Sequence, residues 1–139
     1  MNRPHIVDAG PIVALIDKRE LTHDWAKARF GEATPPLLTC EAVLSEACFL
    51  LQRVSGGRKA VMELVIRGIV QVEFHLQDEA ATISALIDRY ANIPMSLADA
   101  CLVRMAETIP NSRILTLDGH FRIYRKNGRD VLDAVLPEA

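Results

Sequence analysis

His5-Ile6-Val7-Asp8-Ala9-Gly10-Pro11 places three structural signals in one short run. Residues 5–8 read as a buried strand, Ala9-Gly10 as the turn that leaves it, and Pro11 as the start of a helix, where a missing N–H costs nothing. A strand that feeds directly into a helix opens a βαβ unit, and the rest of the chain repeats the theme. Helices are predicted over 11–16 and 22–30, and Pro35-Pro36 introduce a short strand at Leu37-Leu38. Thr39 is placed as N-cap of a helix over 40–53, on which Val43, Ala47, Leu50 and Val54 recur at the helical period. Gly56-Gly57 ends that helix and another follows over 58–67. A strand over 69–74 precedes an amphipathic helix over 78–90, with Ile83, Leu86, Ile87 and Tyr90 at i, i+3, i+4 and i+7. Ser96 starts a helix to about residue 107. A strand over 113–117 closes on Asp118-Gly119, and residues 131–136 offer a last strand of ambiguous pattern.

Strands separated by helices imply right-handed crossovers and a parallel sheet covered on both faces. The expectation is therefore one α/β domain over residues 1–139, with a central parallel sheet of four to five strands flanked by helices. An apolar fraction of 50% excludes disorder, and the apolar runs are cut by charges such as Arg67, so no membrane span is expected. Residues 1–4 pass into strand too quickly for a signal peptide, which points to a cytoplasmic protein. A net charge of −2 argues against nucleic-acid binding by bulk electrostatics but leaves room for a local basic patch. Cys40, Cys48 and Cys101 and the four histidines form no zinc-binding spacing, and the cysteines read as small apolar residues.

In parallel sheets, ligands bind beyond the carboxyl ends of the strands. Asp8 and Asp118 leave two strands at that edge. Each has a purely structural alternative, Asp8 as a turn or helix-start acceptor and Asp118 as half of an Asp-Gly turn. Asp99, in Ser96-Leu97-Ala98-Asp99, fits a capping box in which the acid reaches back to the Ser96 amide. Glu46 has no such alternative. It sits in mid-helix among Ala42, Val43, Ala47, Phe49 and Leu50, where a desolvated carboxylate is costly without a cation. Four acids converging on one edge would repel one another unless a hard divalent ion neutralised them. Oxygen-rich sites suit Mg²⁺ or Mn²⁺, and the chemistry that follows is phosphodiester hydrolysis.

Taken together these segments resemble the PIN-domain ribonucleases, in particular the VapC-type toxins of bacterial toxin–antitoxin pairs. Ile6-Val7-Asp8-Ala9-Gly10-Pro11-Ile12-Val13-Ala14-Leu15 looks like the family's opening strand and first acid. Glu46 in Ala42-Val43-Leu44-Ser45-Glu46-Ala47 matches the helix-borne glutamate, and Ser96-Leu97-Ala98-Asp99-Ala100 the family's S-L-x-D-A segment. Thr116-Leu117-Asp118-Gly119-His120-Phe121 resembles its T-x-D-x-x-F. The resemblance implies an acidic metal pocket of Asp8, Glu46, Asp99 and Asp118, with Ser96 and Thr116 supporting it. It implies an endoribonuclease using Mg²⁺ or Mn²⁺, often a homodimer, silenced by a small antitoxin. The chain departs from the family at Gly10, where Ser or Thr is common, and at Gly119-His120, where Arg-Asp is frequent. Thr116 is the candidate to replace the hydroxyl lost at Gly10.

Residues 119–129 read GHFRIYRKNGR, with Arg122, Arg125 and Lys126 as candidate RNA phosphate contacts and Phe121 and Tyr124 as either base-stacking or core side chains. Haloacid-dehalogenase-like phosphatases need a second Asp two residues after the first, where this chain has Gly10. A phosphoacceptor receiver domain would need an early acidic pair that is absent. The remaining alternatives are a PIN-like fold that binds RNA or a partner without catalysis, and a regulatory PIN nuclease outside any toxin pair.

Overall fold

The computed structural model describes residues 3–138. Short strands alternate with helices in the order β1 (His5–Val7), α1 (Ala9–Ile16), α2 (His23–Glu32), β2 (Leu37–Thr39), α3 (Glu41–Leu50), α4 (Gly57–Ile66), β3 (Val70–Val72), α5 (Leu76–Arg89), α6 (Leu97–Thr108) and β4 (Arg113–Leu115). A 3-10 turn (Gly119–Arg122) then leads to β5 (Arg125–Lys126), β6 (Asp130–Val131) and β7 (Ala134–Val135). Five strands form one sheet in the order β3-β2-β1-β4-β7, and every neighbouring pair is parallel. This is the α/β architecture the alternating pattern implies. Ile6, Val7, Leu37, Val70, Ile114 and Leu115 are buried. Strands covered on both faces carry consecutive apolar residues in this way rather than strict alternation.

The strand order reverses direction between β1 and β4. From β1 the chain builds outward through β2 and β3, and then returns to lay β4 on the other side of β1. That switch point leaves a crevice at the carboxyl ends of β1 and β4, where no crossover loop covers the sheet. The register matters there. Val7 pairs with Leu115, so Asp8 emerges beside Thr116, and the Asp8 amide donates to the Leu115 carbonyl at 3.0 Å.

Three sequence expectations are revised. Thr39 does not cap α3: it is the last residue of β2, buried, and its hydroxyl donates to the Val7 carbonyl at 2.8 Å. Cys40 occupies the cap position without a side-chain hydrogen bond, and the helix closes at Leu50 rather than running to residue 53. The β-branched Thr39 suits a strand, and the carboxyl end of β1 offers its hydroxyl a buried acceptor. Residues 131–136 are not one strand. Val131 belongs with Asp130 to an antiparallel hairpin with Arg125–Lys126, and only Ala134–Val135 joins the main sheet. Among the described residues no helix is long and apolar enough to cross a membrane.

Candidate active site

Asp8, Glu46, Asp99 and Asp118 line one cavity of about 370 Å³ at the switch point, together with Gly10, Leu50 and Leu117. Each acid arrives on a different element. Asp8 follows β1 and caps α1, its Oδ1 accepting the Ala9 amide at 2.7 Å. Asp118 follows β4 and caps the 3-10 turn, its Oδ1 accepting from the His120 amide at 2.9 Å and facing His120 Nδ1 at 2.8 Å. Glu46 stands in the middle of α3. Asp99 occupies the third position of α6, where the capping box forms in both directions: Ser96 Oγ accepts the Asp99 amide at 3.0 Å, and Asp99 Oδ2 accepts the Ser96 amide at 3.2 Å. The structural and chemical readings of these acids therefore coexist. A cap fixes each aspartate's backbone and one oxygen while the residue still lines the cavity.

Thr116 ties the two strand-end acids together. Its buried hydroxyl donates to Asp8 Oδ2 at 2.7 Å and accepts the Asp118 amide at 3.0 Å. A Cβ at Gly10 would lie 3.1 Å from the Leu117 side chain, so a Ser or Thr there would require that side chain to give by a few tenths of an ångström. Tyr124 adds a support that the sequence gives no signal for. It is fully buried, packs edge-on against Tyr90 and Phe121, and donates its hydroxyl to Asp99 Oδ2 at 3.1 Å. Phe121 and Tyr124 are thus core residues and offer no stacking surface.

The electrostatics follow from crowding. Burial pushes the Asp8 carboxyl up to about 6, against the hydrogen bonds from Thr116 and Ala9 and with the charges of Asp99 and Glu46 behind it. Burial also raises Asp99, and the Asp118 charge adds to the effect. Glu46 lies exposed at the rim rather than buried as its apolar neighbours suggest, yet it too is raised, by partial desolvation and then by Asp99 and Asp118. Among the described residues no Lys or Arg lines the cavity.

A family model of the PIN domain matches residues 5–127. The chain belongs to the PIN domain family. Among solved structures, VapC20 of Mycobacterium tuberculosis, described as a Sarcin-Ricin loop cleaving toxin, superposes with a TM-score of 0.74 at 23% identity, covering 83% of this chain and 90% of that one. Comparison with curated proteins gave no significant sequence match.

For a PIN domain the question is whether these acids suit a metal. Among the described residues, no three His, Cys, Asp or Glu side chains are grouped as a ready-made metal cage. The donors are all carboxylates, and they repel one another with no Lys or Arg among the described residues lining the cavity. This set fits a hard divalent ion that keeps much of its own water and is reached partly through it, as Mg²⁺ does. It suits zinc less well, since protein zinc sites are built mainly on His nitrogen and Cys sulfur. Of the basic residues near Asp118, Arg125 is tied to the backbone, its Nη1 donating to the carbonyls of Arg122, Ile123 and Tyr124 at 2.8–3.2 Å. Arg122 is exposed, Lys126 is half-buried, and neither takes part in an ion pair among the described residues.

Proposed function

We propose that this PIN domain is a metal-dependent endoribonuclease that hydrolyses RNA phosphodiester bonds, the toxin of a toxin–antitoxin pair. The observation that carries the reading is the convergence of four carboxylates, from four separate elements, on one cavity at the sheet's switch point, with no Lys or Arg lining it among the described residues. Such a cluster costs folding energy, and the capping roles of Asp8, Asp99 and Asp118 do not require them to share a cavity with Glu46. The likeness of the fold to VapC20 supports the toxin assignment.

Asp8, Asp99 and Asp118 would hold Mg²⁺ or Mn²⁺, with Glu46 binding directly or through water. When bound, the ion supplies a water of lowered pKa and screens the charge that develops on the phosphate. The remaining work belongs to the chain. Glu46, at the solvent rim and with its proton affinity raised, accepts a hydrogen bond from the attacking water and orients it. Thr116 and Ser96 hold Asp8 and Asp99 in place, and Tyr124 holds Asp99 from the core. Arg122 and Lys126 engage RNA phosphates, while Arg125 braces the loop that presents them. As a toxin the protein would act in the cytoplasm as a homodimer and be silenced by a small antitoxin.

The test is RNA cleavage in Mg²⁺, Mn²⁺ and EDTA by the wild type and by Asp8→Asn, Glu46→Gln, Asp99→Asn and Asp118→Asn. The reading requires cleavage that EDTA abolishes and that each variant loses while keeping its fold by circular dichroism. Metal-independent cleavage, or full activity in Asp118→Asn, contradicts it. RNA binding without cleavage in either metal would make the chain a PIN fold kept for binding.

A further inference from the structure

We infer that His120 is a positioning residue of the acid pocket: its ring holds Asp118 so that one carboxylate oxygen is occupied and the other is left for a divalent ion. The inference rests on the metal-dependent reading above and specifies how Asp118 serves it. Asp118 is the most exposed of the three aspartates. Asp8 and Asp99 are buried, whereas the Asp118 side chain is 37% exposed where the chain passes from β4 into the 3-10 turn. Burial does not fix a carboxylate so placed, and its direction depends on its hydrogen bonds.

Two donors meet Asp118 Oδ1, the His120 amide at 2.9 Å and His120 Nδ1 at 2.8 Å. A carboxylate only accepts, so the partner assigns the tautomer, and the ring proton sits on Nδ1. Capping the turn takes the amide bond alone. The ring's bond to the same oxygen is additional. Asp118 Oδ2 has no hydrogen-bond partner among the described residues. Asp99 repeats the pattern. Its Oδ2 accepts from the Ser96 amide at 3.2 Å and from the Tyr124 hydroxyl at 3.1 Å, and its Oδ1 has no partner among the described residues. In both acids a backbone amide and a side-chain donor share one oxygen and leave the second open. His120 serves Asp118 as Tyr124 serves Asp99, and the two rings lie against each other, with centroids 6.5 Å apart and planes 28° from parallel. Tyr124 is fully buried, so it gives the half-exposed His120 ring a rigid backing. A carboxylate held in this way meets an ion through one oxygen from one direction, which suits Mg²⁺ because its octahedral shell tolerates little deviation.

The experiment measures Mn²⁺ affinity on the whole chain without RNA, from the electron paramagnetic resonance signal of the free ion. The proteins are wild type, His120→Phe, His120→Ala, His120→Asn and Asp118→Asn, each also melted in EDTA. His120→Phe keeps a ring beside Tyr124 and removes the donor, and His120→Ala removes both. His120→Asn keeps the donor, because its amide nitrogen stands at the same remove from the backbone as Nδ1. The expected result is a dissociation constant raised roughly 10-fold or more in His120→Phe and His120→Ala. His120→Asn should bind as wild type does, and His120→Phe should melt close to wild type in EDTA, since an exposed pair adds little stability. If His120→Phe melts lower, His120→Ala against His120→Asn decides in its place. Wild-type affinity in the variants that lack the donor overturns the inference. So does a loss in His120→Asn as large as in His120→Phe, which would make the imidazole itself a ligand. The metal reading is judged separately: Mn²⁺ binding absent in wild type, or unchanged in Asp118→Asn, refutes that reading and this inference with it. A loss in Asp118→Asn with none in His120→Phe and His120→Ala refutes the inference alone.

Discussion

Thr116 is the residue on which the two strand-end acids depend. One hydroxyl proton serves Asp8 and one lone pair serves the Asp118 amide. Thr116→Val keeps the shape and removes both bonds, leaving a buried carboxylate oxygen without its donor. The expected cost is about 1–3 kcal/mol of stability by urea denaturation. Metal affinity should fall roughly 10- to 100-fold by titration, as for other residues that orient ligands. Asp8 supplies the pH dependence. Its carboxyl is raised above the unfolded value, so the folded chain holds the proton more tightly than the unfolded chain does. Stability from this group is complete below the unfolded pKa and is lost as pH rises through the folded one. Metal-free protein should therefore weaken between about pH 4 and pH 6, and the rise from 3.8 to about 6 is worth about 3 kcal/mol. Asp99 and Glu46, also raised, act in the same direction. Melting the EDTA-treated protein across this range should show the fall, and Asp8→Asn should flatten most of it. A metal-free protein that gains stability over the same interval would contradict the crowding described here.

At the scale of elements, α6 positions Asp99 from both sides, by the capping box at its start and by Tyr124 from the core. The two supports are separable. Ser96→Ala removes the cap and should cost about 1 kcal/mol of stability. Tyr124→Phe removes only a hydrogen bond that favours the ionised carboxylate, so the Asp99 carboxyl should rise further and the cleavage–pH profile should shift upward. A profile unchanged in Tyr124→Phe would mean that this hydroxyl does not influence the site. The cap was legible in Ser96-Leu97-Ala98-Asp99, because a box is a spacing rule written in four residues. Tyr124 was not, because its contact with Asp99 depends on how the 3-10 turn folds back beneath α6. The terminal hairpin is an intermediate case. Its signal is Asn127-Gly128, whose positive φ angles of 54° and 76° make the turn between β5 and β6. A reading of residues 119–129 by charge alone passes over that pair and merges Val131 with the following strand.

For the molecule as a whole, the sheet was legible because parallel strands buried on both faces announce themselves as apolar runs at residues 5, 37, 70 and 113. The convergence of the acids followed from the same pattern, since Asp8 and Asp118 leave strands at one edge. What the pattern does not contain is depth. Glu46 has apolar neighbours in sequence, yet α3 turns it to the rim, because Ala42, Ser45 and Phe49 share its stripe while Val43, Leu44 and Ala47 face the core. The central claim is that this acidic cavity is a metal site and not merely a set of helix caps. The most direct measurement is a thermal melt of wild type and Asp118→Asn in EDTA and in Mg²⁺ or Mn²⁺ at saturating concentration. Ligand at about 100 times its Kd stabilises by roughly 2.7 kcal/mol, a rise of several degrees for a domain of this size. The account requires that rise in the wild type, its absence in Asp118→Asn, and a variant no less stable than wild type in EDTA. A wild type indifferent to metal, with a variant that melts lower in EDTA, would make Asp118 a turn residue and contradict the account.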